Sequence, residues 1–195
     1  LKQIKFKAFF SKLVYDYIDY GNLFVTAEWV KDIDKDPLDG SDIINYIGAK
    51  PVRFSPLDIV FNPTAPEFTE TPKIVRSLKS LGELKDAALD ENASEDDILM
   101  FNYAMDKAVD SRRVHSGLSM DDKDKTESFQ VDGFGTLSEY YGSGYVEVLQ
   151  FFGTLYDTDS DTLYDDYIIT VIDRSYVLSK KKNPSWLKNS IIHTG

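Results

Sequence analysis

Apolar residues in the first twenty positions recur at helical spacing. Phe6, Phe9, Phe10, Leu13, Val14 and Tyr17 follow the i, i+3, i+4, i+7 rule, with Lys2, Lys7, Lys12 and Asp16 between them. The pattern predicts an amphipathic helix from Leu1 to Tyr20 whose aromatic stripe, Phe10 included, packs on a sheet. Gly21-Asn22 ends it, because both residues tolerate a left-handed backbone. The period then changes to two. Leu23, Val25, Ala27 and Trp29 share one side and Thr26 and Glu28 the other, which predicts a strand with its apolar side buried.

The polar stretch DIDKDPLDGSD reads as a turn, followed by a second β segment through IINYIGAKPVRFS. Pro56 and Pro63 bracket LDIVFN, a short strand or edge piece, and KIVRSLK reads as another strand. Ser80 and Glu83 form a capping box for a helix that turns Leu81, Leu84 and Ala88 inward. DENASEDD opens a longer helix with Ile98, Phe101, Met105, Ala108 and Val109 on one stripe. The polar run from Ser116 to Gln130 predicts a mobile loop. A short helix is expected over Leu137–Tyr141, and two β-rich runs follow, YVEVLQFFGTLY and DDYIITVIDRSYVL. Both carry apolar residues on both faces, as in a long hairpin packed on two sides or partly in a subunit interface.

The link between those runs, YDTDSDTLYDDY, places Asp157, Asp159 and Asp161 at alternate positions. A calcium loop needs carboxylates at positions 1, 3 and 5, glycine at 6 and glutamate at 12. Counted from Asp157, the sixth residue is Thr162 and the twelfth is Ile168, and the flanks are strands. The stretch reads as a hairpin tip, with Asp and Ser side chains capping their own turn.

Composition narrows the picture further. A chain of 195 residues buries roughly 70% of its unfolded surface and needs no staples. Cysteine is absent, which excludes disulfides and thiolate metal sites and suits a reducing cytoplasm. No apolar run reaches the ~18 residues of a membrane span, and no signal-peptide pattern is read at the start, so no membrane partner is expected. A start at Leu1 and an end on SIIHTG suggest a piece of a longer protein. Net charge is −11, and the segment Thr126–Asp173 holds ten acids and no Lys or Arg. Such a surface repels phosphate backbones, which argues against sequence-specific DNA binding and suits a solubilised face.

Candidate chemistry is sparse. His115 and His193 lack metal spacing, so no metal and no cofactor are expected. GFGTLS at Gly133 lacks the third glycine of a dinucleotide loop, and YGSGY around Ser143 lacks the spacing of a nucleophile elbow. Lys180–Lys182 reads as a solvated turn. No catalytic residue is assigned, and the chain is not expected to be an enzyme.

One pattern is more specific. A helix running into Asp19–Val25 (DYGNLFV), the run Ser55–Pro63 (SPLDIVFNP) and Ile74–Leu84 (IVRSLKSLGEL) resemble the portal proteins of short-tailed bacteriophages. The runs SGYVEVLQFFGTLYD and DYIITVIDRSYVLSKKKNPSW to IIHTG are similar to that family's long hairpin and the tail after it. The resemblance covers most of the chain, with 90–130 as a variable insertion. It implies a single α+β wing-like domain over 1–195, with a mixed or antiparallel sheet and a long β-hairpin packed against an N-terminal amphipathic helix and further helices. It also implies a virion role: a subunit of a homo-oligomeric ring, usually a dodecamer, at the capsid's portal vertex. DNA passes through such a ring during genome packaging without sequence-specific binding. The implied partners are the packaging motor (terminase), the capsid and the tail or adaptor proteins. The rival classes are an acidic carbohydrate- or calcium-dependent binding module, which needs the three aspartates to hold metal, and a carboxylate-based hydrolase, which needs convergent acids in a cleft.

Overall fold

The computed structural model describes residues 6–87, 94–113, 123–183 and 191–194. The chain is α+β, with antiparallel sheets and an N-terminal helix. It divides into two compact units, one formed by 1–73 with 184–195 and the other by 74–183.

In the first unit, helix α1 (Phe6–Tyr20) leads through Gly21 into strand β1 (Leu23–Lys35). Gly21 takes a positive φ of 69° and donates its N–H to the Tyr17 carbonyl, which closes the helix. β1 pairs antiparallel with β2 (Asp42–Phe54) over almost its whole length, and with the short β8 (Ile191–Thr194) at its start. The spatial order β2-β1-β8 makes β2 an edge strand, and an edge is where Pro51, without an N–H, can sit in a ladder. A 3-10 turn at Pro56–Asp58, with Ser55 at its N-cap, delivers the chain into β3 (Ile59–Phe61).

Two sequence expectations fail in this unit. The aromatic stripe of α1 is not its packed face: Leu13 and Asp16 are buried and Phe9 is half-buried, whereas Phe10 is 55% exposed. The inward residue at the third turn is a carboxylate because Arg53 on β2 meets Asp16 with two hydrogen bonds. A sequence profile reads Asp16 as polar and turns it outward. In β1 the buried positions are Phe24 and Thr26, the opposite phase to that expected, and Trp29 is 69% exposed. Phe24 wins the inner side because Phe61, Phe68 and His193 gather on it, with ring centroids 4.9–5.6 Å away.

The second unit contains strands β4 (Lys73–Ser80, from Ile74 onward), β5 (Tyr145–Asp157), β6 (Thr162–Ile172) and β7 (Tyr176–Lys182), in that spatial order. Helix α2 (Leu81–Ala87) follows β4 directly. The Ser80 side chain accepts from the Glu83 N–H at 3.2 Å while Glu83 accepts from the Ser80 N–H at 2.7 Å, so the expected capping box is present. Helix α3 (Glu95–Arg113) opens on the analogous Ser94/Asp97 pair. The main core joins Leu84, Phe101, Ala104 and Ala108 from these helices to Val146, Val148, Ile172 and Leu178 from the sheet. Segment 90–130 thus supplies three of those core residues. Ala88, expected to point inward, lies outside the described residues, and Ile98 is 37% exposed.

The polar run expected to be a loop to Gln130 is helical from Lys123, as α4 (Lys123–Val131), while 116–122 lies outside the described residues. Phe129 anchors this helix, fully buried against Leu137 and Tyr140 of α5 (Leu137–Gly142). The second β-rich run is not one strand. It breaks at Asp173-Arg174 and returns as β7, so Lys180–Lys182 lie in a strand paired with Tyr167–Ile169 and not in a turn. Two-sided covering holds at the start of β5, where Val146, Glu147 and Val148 are all buried.

Candidate functional site

The concentration of buried charge lies where the β6–β7 turn meets β5. Asp173 and Arg174 both take positive φ, 49° and 57°, and the Ser175 N–H donates to the Ile172 carbonyl at 3.1 Å. Positive φ at both central residues is the type I′ geometry that suits the twist of a hairpin. Asn-Gly or Asp-Gly fills such turns cheaply, and an arginine does not. Side-chain contacts hold the turn instead.

The Asp173 carboxylate, fully buried, accepts from Arg112 Nη1 at 2.7 Å and Nη2 at 3.1 Å, and from the Tyr140 hydroxyl. That hydroxyl in turn accepts from the Glu147 N–H at 2.6 Å. Arg112 also donates to the carbonyls of Ala108 and Tyr145, at 2.9 and 2.7 Å. Side chains alternate along a strand, so Glu147 points away from Val146 and Val148 and their core. On that side Arg174 grips it with Nε at 2.6 Å and Nη2 at 2.9 Å, and also donates to Ser128 and Asp132. The guanidinium lies 4.1 Å from the centroid of the Phe129 ring.

Each shift in proton affinity has a visible cause. Burial, and then the adjacent Asp173 charge, hold the Tyr140 hydroxyl far above the ordinary phenol range. Hydrogen bonding to Glu147 raises Arg174. Burial pulls Arg112 down, but the Asp173 carboxylate outweighs it and leaves the guanidinium raised. Tyr140 is thus held neutral, and Arg112 and Arg174 charged, at neutral pH. Both oxygens of Glu147 and of Asp173 are occupied by donors, which leaves neither carboxylate free to act as a base or nucleophile. The network clamps a strained turn to three helices.

The acidic hairpin tip behaves as its sequence suggests. Asp157 ends β5 and accepts from the Asp159 N–H at 3.1 Å and the Ser160 hydroxyl at 2.8 Å. Those bonds, the Ser160 hydroxyl foremost, hold its carboxyl below the usual value. Asp161 takes a φ of 49° and accepts from the Tyr156 hydroxyl. Among the described residues no group of three or more His, Asp or Glu side chains is placed to hold a metal ion. The ten acids of 126–173 do not make one solvated face: Glu147 and Asp173 are buried, and Glu139 closes the Thr136 capping box of α5.

The remaining sequence candidates are structural. Gly133 and Gly135 take positive φ in the turn before α5, and Ser143 caps that helix at its end. His193 packs among Phe24, Phe61 and Phe68 with Nε2 2.8 Å from Asn22 Oδ1, and burial lowers its proton affinity. His115 lies outside the described residues. Sequence reasoning missed Arg112, Glu147, Asp173 and Arg174. The available signal was a charge inside an apolar strand run, as in YVEVLQF and ITVIDRSY. Among the described residues no helix is long and apolar enough to cross a membrane. No family model matches the chain, and no curated protein matches it.

Proposed function

We propose that the chain is the wing-type region of a portal subunit, a structural virion protein whose ring at the capsid vertex conducts DNA during packaging. The observation that carries this reading is the ordered run of family-like motifs in Asp19–Val25, Ser55–Pro63 and Ile74–Leu84. The first is the exit of α1 through Gly21-Asn22 into β1, the second the Ser55-capped turn into β3, and the third β4 running into the capped helix α2. Consistent with it, the buried charges at Asp173-Arg174 are all neutralised by partners, as suits a scaffold with no reaction to perform. In this reading the subunit is one of a ring, with motor, capsid and tail proteins as partners, and DNA slides past without base-specific contact.

Negative-stain electron microscopy of the full-length gene product tests it. Closed rings with a central hole are expected. A full-length protein that stays monomeric across concentration and salt would refute the reading.

A further inference from the structure

Strand β8 joins the first unit with only four residues, Ile191–Thr194, laid antiparallel on Leu23–Thr26. So short a ladder holds weakly by itself, and β8 depends on what its side chains meet. Residues two apart share a face, which puts Ile191 and His193 on the same side of the strand. That side is the inward one. Ile191 is buried, and the His193 ring lies among Phe24, Phe61 and Phe68, at centroid distances of 4.9, 5.7 and 4.6 Å. One of the two inward anchors is thus a side chain whose charge changes near neutral pH.

The surroundings suit the neutral imidazole. Phe24 is fully buried and stacks on the ring at an interplanar angle of 20°. Nε2 lies 2.8 Å from Asn22 Oδ1, an amide oxygen that brings no charge. The α1–β1 link supplies Asn22, β1 supplies Phe24, β3 supplies Phe61 and the segment before β4 supplies Phe68, all uncharged. The start of β4 supplies a cation. The buried Lys73 ammonium, held by the carbonyls of Thr69 and Thr71, lies 4.8 Å from the centroid of the same Phe68 ring. Glu67 and Glu70, on either side of Phe68 in sequence, are exposed. The Asp16–Arg53 pair belongs to the other side of the sheet, since Arg53 is in register with Val25 and His193 with Phe24. Among the described residues no carboxylate pairs with His193, so a proton added to the ring meets aromatic carbon and shares Phe68 with a lysine.

We propose that His193 is a pH-operated latch: protonation of its ring releases β8 from the start of β1 and opens the aromatic cluster. Burial lowers the proton affinity of His193 from its ordinary value of 6.5. A group lowered in the docked state favours docking fully above 6.5, and that contribution is lost as pH falls through the lowered value. The latch is closed above neutral pH and loosened in mild acid. It stands on this cluster alone and does not need the portal reading.

The test is amide hydrogen exchange of the 195-residue chain at about pH 7.5 and about pH 5, on either side of the histidine range, read as protection factors so that intrinsic pH dependence cancels. The His193 ring is titrated by NMR in a His115→Gln background, which leaves one histidine signal. Protection of Leu23–Thr26 and Ile191–Thr194 should fall by at least about threefold at the lower pH, while the β5–β6 ladder keeps its protection, and the ring should titrate below 6.5. His193→Phe keeps an aromatic ring that takes no proton, and His193→Gln keeps a neutral donor for Asn22. Both should abolish the pH step at β8. If neither variant docks the strand, the wild-type midpoints decide, since ring and protection must titrate together. A step that persists in the variants, a wild-type β8 that is unprotected or indifferent to pH, or a ring titrating at or above 6.5 overturns the proposal.

Discussion

Replacing Arg174 by methionine removes a charge while keeping most of the side chain's length. Glu147, fully buried, would lose its donors at 2.6 and 2.9 Å and remain as a carboxylate without a counter-ion. Removing one partner of a buried pair costs about 3–5 kcal/mol, because the charge left behind is neither solvated nor neutralised. Arg174 is itself partly exposed, with a side chain 19% accessible, which allows some water to reach the vacancy and favours the lower end, about 3 kcal/mol. The left-handed backbone at position 174 is unchanged by the substitution, so the cost reports the charge and not the turn. Urea denaturation followed by far-UV circular dichroism gives the magnitude, and amide exchange across β5 and β6 localises it. Glu147→Leu combined with Arg174→Met should recover most of the loss, since an apolar pair of similar volume replaces a buried ion pair at little or no net cost. A loss below about 1 kcal/mol for Arg174→Met alone, the range of an exposed ion pair, would refute the account of the network as a buried clamp.

In α1 the two apolar positions Phe10 and Leu13 should separate cleanly. Leu13→Ala, at 8% exposure, should cost about 2–4 kcal/mol by chemical denaturation, and Phe10→Ala less than about 1 kcal/mol in a monomeric sample. Equal losses would restore the stripe read from the sequence. The α5 cap should titrate: hydrogen bonds from Thr136 hold Glu139 below its ordinary value of 4.5. A lowered carboxylate stabilises fully above that ordinary value, and the contribution is lost as pH falls through the lowered one. Melting temperature should therefore drop less steeply below pH 4.5 in Glu139→Gln than in the parent, and parallel curves would count against the cap. Calorimetric titration with calcium should show no site tighter than about 0.1 mM, and a stoichiometric micromolar site abolished by Asp159→Ala would overturn the hairpin-tip account.

Local signals were legible wherever a residue's partner lies within a few positions along the chain. Ser80 with Glu83, Gly21 after Tyr17 and Asp157 with Ser160 form pairs that sequence spacing alone brings together. So the caps, the hairpin tip and most of the elements followed from the sequence, and with them the α+β class. Which face of an element is buried depends on what it meets. In α1, apolar residues run almost all round the helix, so periodicity offers several stripes, and Arg53, 37 positions away, selects the one containing Asp16. In β1 the assembly of Phe61, Phe68 and His193 chose Phe24 over Trp29. The polar run at 123–131 is a helix because Phe129 finds Tyr140 and the Arg174 guanidinium, neither of which its own window contains. Buried charge was the least legible feature of all. A carboxylate such as Glu147 or Asp173 is tolerated in a core only once its cation is in place, and Arg174 lies 27 residues from the first and Arg112 61 residues from the second. The sequence determines which groups are available to pair, but only the closed tertiary structure supplies the low-dielectric setting and the partner that make burying them cheaper than leaving them in water.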